Sequence, residues 1–166
     1  MGAIAIHILT AVTSVAYDHD RQVALSGSAT LDETIRVWDT RNGTCLAILP
    51  DHNCHISYLR FNGDTFLSAA TGSVKVWDAR THTLRLSMSS SIYITSLAVK
   101  GGKVVTAGGE VVRMWDPSTG ITIWETDIGR PVRMVEWKDD CLVVLSMVEG
   151  PKSQTPRIDV HDFTRP

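Results

Sequence analysis

Ile35-Arg36-Val37-Trp38-Asp39, Val74-Lys75-Val76-Trp77-Asp78 and Val112-Arg113-Met114-Trp115-Asp116 are three copies of one pentapeptide, and their spacing decides the fold. Trp38 and Trp77 stand 39 residues apart and Trp77 and Trp115 stand 38 apart, a period that belongs to repeat architectures. A fourth copy, Ile158-Asp159-Val160-His161-Asp162, follows 46 residues after Trp115 and carries His161 at the tryptophan position.

The segments around each pentapeptide repeat as well. Upstream lies a strand with apolar residues at offsets 0, +3 and +5: Val12, Val15 and Tyr17; Ile56, Leu59 and Phe61; Ile94, Leu97 and Val99; Val132, Val135 and Trp137. Small or apolar residues between them, as in Ser14-Val15-Ala16, predict strands buried on both faces. Polar turns follow at Asp18–Arg21, Asn62–Asp64, Gly101–Lys103 and Lys138–Asp140, built from residues that tolerate positive φ or supply local hydrogen bonds. A second strand then carries a hydroxyl at or next to its end, at Ser26, Ser68, Thr106 and Ser146. Behind the pentapeptides, further turns lead to a last strand at Thr44–Leu49, Thr83–Met88 and Ile121–Glu125. Short strands at this spacing, with no helical periodicity, predict an all-β chain.

Composition narrows the partners. In 166 residues, 16 Lys and Arg nearly balance 18 Asp and Glu, and a net charge of −2 supplies no basic field for nucleic acid or an anionic membrane. No apolar run reaches the roughly 18 to 20 residues that span a bilayer. Ala3–Leu9 is apolar without a basic start or a cleavage site, and reads as a strand. Cys45, Cys54 and Cys141, an odd number scattered over three repeats, fit reduced thiols in the cytoplasm or nucleus.

These residues resemble four WD40 repeats over essentially the whole chain. The Trp-Asp pairs, Ser26-Gly27-Ser28 and Asp51-His52 are the specific marks. The resemblance implies β-propeller blades, four four-stranded antiparallel sheets in one domain over 1–166, with repeats at about 3–39, 44–78, 83–116 and 121–162. It also implies that Ala3–Leu9 completes the blade that ends with Arg157–Asp162, which removes two exposed sheet edges. Three arrangements stand open: a small closed four-blade ring, two chains sharing one larger ring, or part of a longer propeller.

The resemblance further implies a hydrogen-bonded network of Trp, Ser or Thr, His and Asp within each repeat. The matching positions are Ser26, Asp32 and Trp38, then His52, Ser68 and Trp77, then Thr106 and Trp115. His7 lies one place out of register, Thr71 and Gly109 occupy Asp positions, and the fourth repeat keeps little beyond Ser146. Ser, His and Asp also compose hydrolytic triads, but here they satisfy buried groups that otherwise cost about 1–3 kcal/mol each. The Gly-x-Ser-x-Gly elbow is absent. His52-Asn53-Cys54-His55 has metal-ligand residue types without the second pair that zinc sites need. Gly101-Gly102-Lys103 and Gly108-Gly109-Glu110 lack the phosphate-loop pattern and read as turns. Neither catalytic residue, cofactor nor metal is expected.

The expected function is therefore a non-enzymatic scaffold that presents a propeller face to a protein or peptide partner. The resemblance places Leu31, Asn53, His55, Tyr93, Glu110 and Arg130 on that face, and Lys152 in the long Met147–Pro156 connection. Leu59–Asp64 resembles the WD repeats of F-box adaptors for ubiquitin ligases, although no F-box helix lies within these residues. A homodimer or further blades would complete the ring. Two other readings are a partial propeller with no activity of its own and an enzyme that uses the propeller channel.

Overall fold

The structure, a computed structural model, describes residues 11–29, 33–50, 52, 54–90, 93–150 and 153–163. It divides into two compact units, Met1–Ser87 and Met88–Pro166. In the first unit, β1 (Val12–Asp18), β2 (Val23–Ser28), β3 (Ile35–Asp39) and β4 (Cys45–Leu49) form one antiparallel sheet in chain order. A second sheet follows the same order with β5 (Ile56–Asn62), β6 (Thr65–Ala70), β7 (Ser73–Asp78) and β8 (Leu84–Ser89). In the second unit, β9 (Ser96–Lys100), β10 (Lys103–Gly108), β11 (Val111–Trp115) and β12 (Thr122–Asp127) form the third sheet. β13 (Val132–Lys138), β14 (Cys141–Glu149) and β15 (Gln154–Asp162) form the fourth. These meandering sheets are propeller blades, and the chain is all-β.

Turn chemistry produces the meander. Lys100 pairs with Lys103 across Gly101 and Gly102, whose φ values of 56° and 72° are those a two-residue type I′ hairpin demands at both central positions.

Within the first unit the two blades share one core. Leu25, Ile35, Val37 and Leu49 of the first pack with Ile56, Leu59, Phe66 and Trp77 of the second. Gly27 sits at the closest approach, where an added Cβ would lie 2.6 Å from Ile56 Cγ2. Two hydroxyls on β1 reach across: Thr13 Oγ1 donates to the Ile56 carbonyl at 2.6 Å, and Ser14 Oγ accepts from the Leu59 amide at 3.0 Å. The second unit repeats the device. Its core joins Val105, Val112 and Met114 to Val132, Val135 and Leu142, while Thr95 Oγ1 donates to the Val132 carbonyl at 3.0 Å and Ser96 Oγ accepts from the Val135 amide at 3.1 Å. The Thr-Ser pair thus clamps the first blade of each unit to the next.

Three sequence expectations change. β1 is not buried on both faces: Val12, Val15 and Tyr17 are exposed, because nothing among the described residues covers that side. The Met147–Pro156 connection is mostly strand, since Met147 pairs with Pro156, Val148 with Thr155 and Glu149 with Gln154, which satisfies backbone groups that a loop would leave to water. The third repeat's first strand begins at Ser96, not Ile94, although Ile94 is buried. Ala3–Leu9, expected to complete the fourth blade, lies outside the described residues.

The aspartate of each of the three Trp-Asp pentapeptides organises the next turn. Asp39 accepts from the Arg41 amide at 2.9 Å, Asp78 from the Arg80 and Thr81 amides at 2.8 and 2.7 Å, and Asp116 from the Ser118 amide at 2.8 Å. The Arg41 side chain and amide together hold the Asp39 carboxyl down at about 2, and Asp78 is held lower still by Thr81 and Arg85. A carboxyl lowered by folding stabilises the native state fully above its unfolded value of about 4. That contribution disappears as pH falls through the folded value, so the melting temperature is expected to drop between about pH 4 and 2. A melt series across that range checks it, and Asp39→Asn should flatten the acid limb.

Candidate protein-interaction site

The buried hydroxyls fix the centre of each blade. Trp38 Nε1 donates to Ser26 Oγ at 2.9 Å, Trp77 Nε1 to Ser68 Oγ at 2.8 Å and Trp115 Nε1 to Thr106 Oγ1 at 2.8 Å. His52 Nε2 lies 2.5 Å from Ser68 Oγ, completing a three-residue network in the second blade. Ser68 and His52 are both buried.

The fourth blade departs from this pattern, and its departure builds the site. With His161 in the tryptophan position, Ser146 Oγ accepts instead from Arg130 Nε at 2.7 Å. Arg130 Nη1 also donates to the Ile128 carbonyl at 3.1 Å, and Nη2 pairs with Asp159. Asp159 accepts in turn from Arg157 Nε at 3.2 Å. Burial pushes the Asp159 carboxyl up, but the Arg130 hydrogen bond and the two guanidinium charges outweigh it and hold the group below its ordinary value.

Around this network opens a cavity of about 550 Å³ whose lining includes Glu110, Arg130, Pro131, Met147, Glu149 and Arg157. Backbone bonds hold its walls: the Ile128 amide donates to the Glu110 carbonyl at 2.8 Å, Val132 to Gly109 at 2.7 Å and Met147 to Pro131 at 2.9 Å. The lining thus combines two carboxylates, two guanidiniums and an apolar wall of Pro131, Met147 and Val148.

Of the residues expected on a partner face, Glu110 and Arg130 come together here. Tyr93 is exposed and His55 half-buried, and neither lines this cavity. Leu31, Asn53 and Lys152 lie outside the described residues, as does Asp32 of the implied network. Met147 and Glu149 belong to the Met147–Pro156 connection that the sequence reading weighs as a partner contact, whereas Arg157 is not singled out there. The burial alternation from Cys141 to Glu149 shows the strand continuing past the point where its siblings turn, which the nearly continuous apolar run at 141–148 does not reveal in sequence. Cys45, Cys54 and Cys141 are free thiols.

The family profile described as WD domain, G-beta repeat matches residues 5–39 and 43–78. The chain is 30% identical over 126 residues to the CCR4-associated factor 4 homolog of Candida glabrata, covering 67% of this chain and 22% of that one. It is 35% identical over 118 residues to the U3 small nucleolar RNA-associated protein 15 homolog of Xenopus tropicalis, covering 64% and 21%. The chain therefore spans about a fifth of the length of these two relatives. The Regulator of rDNA transcription protein 13 of Saccharomyces cerevisiae is 26% identical over 178 residues, covering 92% of this chain and 93% of its own. Among solved structures, the computationally designed Ika4 protein superposes with a TM-score of 0.80 at 26% identity, covering 95% of this chain and 96% of that one. The computationally designed Ika8 protein gives 0.74 at 28% identity, covering 89% of this chain and 45% of that one.

Proposed function

Because this is a WD40-repeat chain, we propose that it is a non-enzymatic scaffold that binds a protein partner through the cavity walled by Glu110, Arg130, Met147, Glu149 and Arg157. One observation carries the reading. The fourth blade gives up the Trp–hydroxyl bond of its siblings and instead uses Arg130 to anchor a charged, apolar-walled cavity beside a lengthened hairpin. Fold alone does not specify a partner. The relatives' names support an assembly associated with RNA or with rDNA transcription more than the narrower ubiquitin-ligase adaptor, and they place nucleic acid among the components to be tested. A nuclear location fits that reading.

The test is affinity capture with wild type and with the double charge reversal Glu110→Lys/Arg157→Glu. Both side chains line the open cavity, so the melting temperature should stay within a degree or two, as surface substitutions usually change stability by no more than about 0.5 kcal/mol. Recovery of the specific partner should fall at least about tenfold, the effect of losing roughly 1.4 kcal/mol of interface energy. Equal recovery by both proteins would overturn the site. A partner set made of ubiquitin-ligase subunits would favour the adaptor reading.

A further inference from the structure

We propose that two copies of this chain assemble head to tail, the β1–β3 face of each covered by the β13–β15 face of the other. The first face is apolar, and nothing among the described residues covers it. Val15 is 66% exposed and Tyr17 53%, and beside them Ala24, Ser26 and Trp38 border an open cavity of about 530 Å³. In the second blade the residues that match Val12 and Val15, Ile56 and Leu59, are buried, and they pack in one core with the preceding blade's Leu25, Ile35 and Val37. The occupant that fits the bare face is therefore the Ile-x-Val side of a preceding blade.

The fourth blade offers that side, and nothing among the described residues covers it. Ile158 and Val160 occupy the places of Ile35 and Val37 in the pentapeptide, yet are 64% and 60% exposed, and Met134 beside them is also exposed. In the third blade the equivalent Val112 and Met114 are buried against the fourth. Exposed apolar side chains grouped on one face of the first blade and one face of the fourth mark both as surfaces for association.

The fourth blade also lacks the clamp used inside each unit. Arg133 and Met134 replace the Thr-Ser pair found at Thr13-Ser14 and Thr95-Ser96, so this junction is apolar where the internal ones are pinned by hydroxyls. The length of the matched structures names the occupant. One solved chain of this length matches almost throughout, while another is covered for only 45% of its length by 89% of this one, which leaves room there for a second set of such blades. Here the second set comes from a second copy, and a two-fold axis relates the two new junctions.

Sedimentation equilibrium and light scattering on the full chain test the assembly. Wild type is expected at twice the 18.2 kDa chain mass. Val15→Asp and Ile158→Asp each put a charge into both junctions and should weaken the dimer at least about 30-fold, while the exposed positions leave the β-sheet circular dichroism intact. Mixing the two variants should restore part of the dimer, because the mixed pair keeps one junction wholly wild type. A wild-type mass of 18.2 kDa at all concentrations, meaning closure within one chain, would overturn the proposal. So would a dimer indifferent to both substitutions, or an open-ended series of larger species.

Discussion

Trp77→Ala is expected to lower the unfolding free energy by about 3–5 kcal/mol, the range for deleting a buried aromatic side chain. The indole is buried, stacks on Phe66 with ring centroids 5.9 Å apart and planes 7° from parallel, and donates to Ser68. Phe66 in turn meets Phe61 edge-on at 6.0 Å, so the truncation opens a cavity inside a packed aromatic row. Trp38→Ala removes the same hydrogen bond but borders an open cavity, and should cost visibly less in dilute solution. Urea melts of both variants make the comparison. Equal losses would mean that the tryptophan acts mainly through its hydroxyl partner and not through blade-to-blade packing.

The second large effect is predicted at Gly27. Its added Cβ would meet Ile56 Cγ2 at 2.6 Å, Ile56 Cβ at 3.0 Å and Leu59 Cδ1 at 3.3 Å, all of them buried on the facing blade. Gly27→Val therefore forces the two sheets of the first unit apart and should cost about 3 kcal/mol or more. The cause is separable from glycine's backbone freedom by a double-mutant cycle. Ile56→Ala alone should cost about 2–5 kcal/mol through the cavity it leaves. Combined with Gly27→Val it should cost less than the sum, because the valine enters the space that the isoleucine vacates. Additive losses would place the fault in the β2 backbone.

Much of this fold was legible because the repeat states its own template four times. The pentapeptides, hairpin glycines and hydroxyl positions all fall where the spacing put them, since each obeys a local rule of turn geometry or side-chain alternation. What could not be read was which copies of the template have neighbours. Val15 and Leu59 occupy the same offset, and only the assembled structure distinguishes the exposed residue from the buried one. The cavity was half legible. Glu110 and Arg130 were expected on a partner face, whereas Arg157 and Glu149 joined them only because the long connection continues as paired strand. The clamp escaped notice for a different reason. Thr-Ser recurs in alternate repeats, a period of two blades that comparison of single repeats averages away.

The same departure links stability to the proposed binding site. Ser146 is buried and needs a donor, and Arg130 supplies it at the foot of the cavity, so the group that completes the blade also sets the charge of the site. The most direct test of the scaffold claim is site-specific photo-crosslinking in cells, with a photoreactive residue at Val148 on the cavity wall and a control at the exposed Leu46 on β4. A discrete protein adduct formed from position 148, absent from position 46 and lost with Glu110→Lys/Arg157→Glu, is the predicted result. The same adducts from both positions, or none that the charge reversal removes, would contradict it.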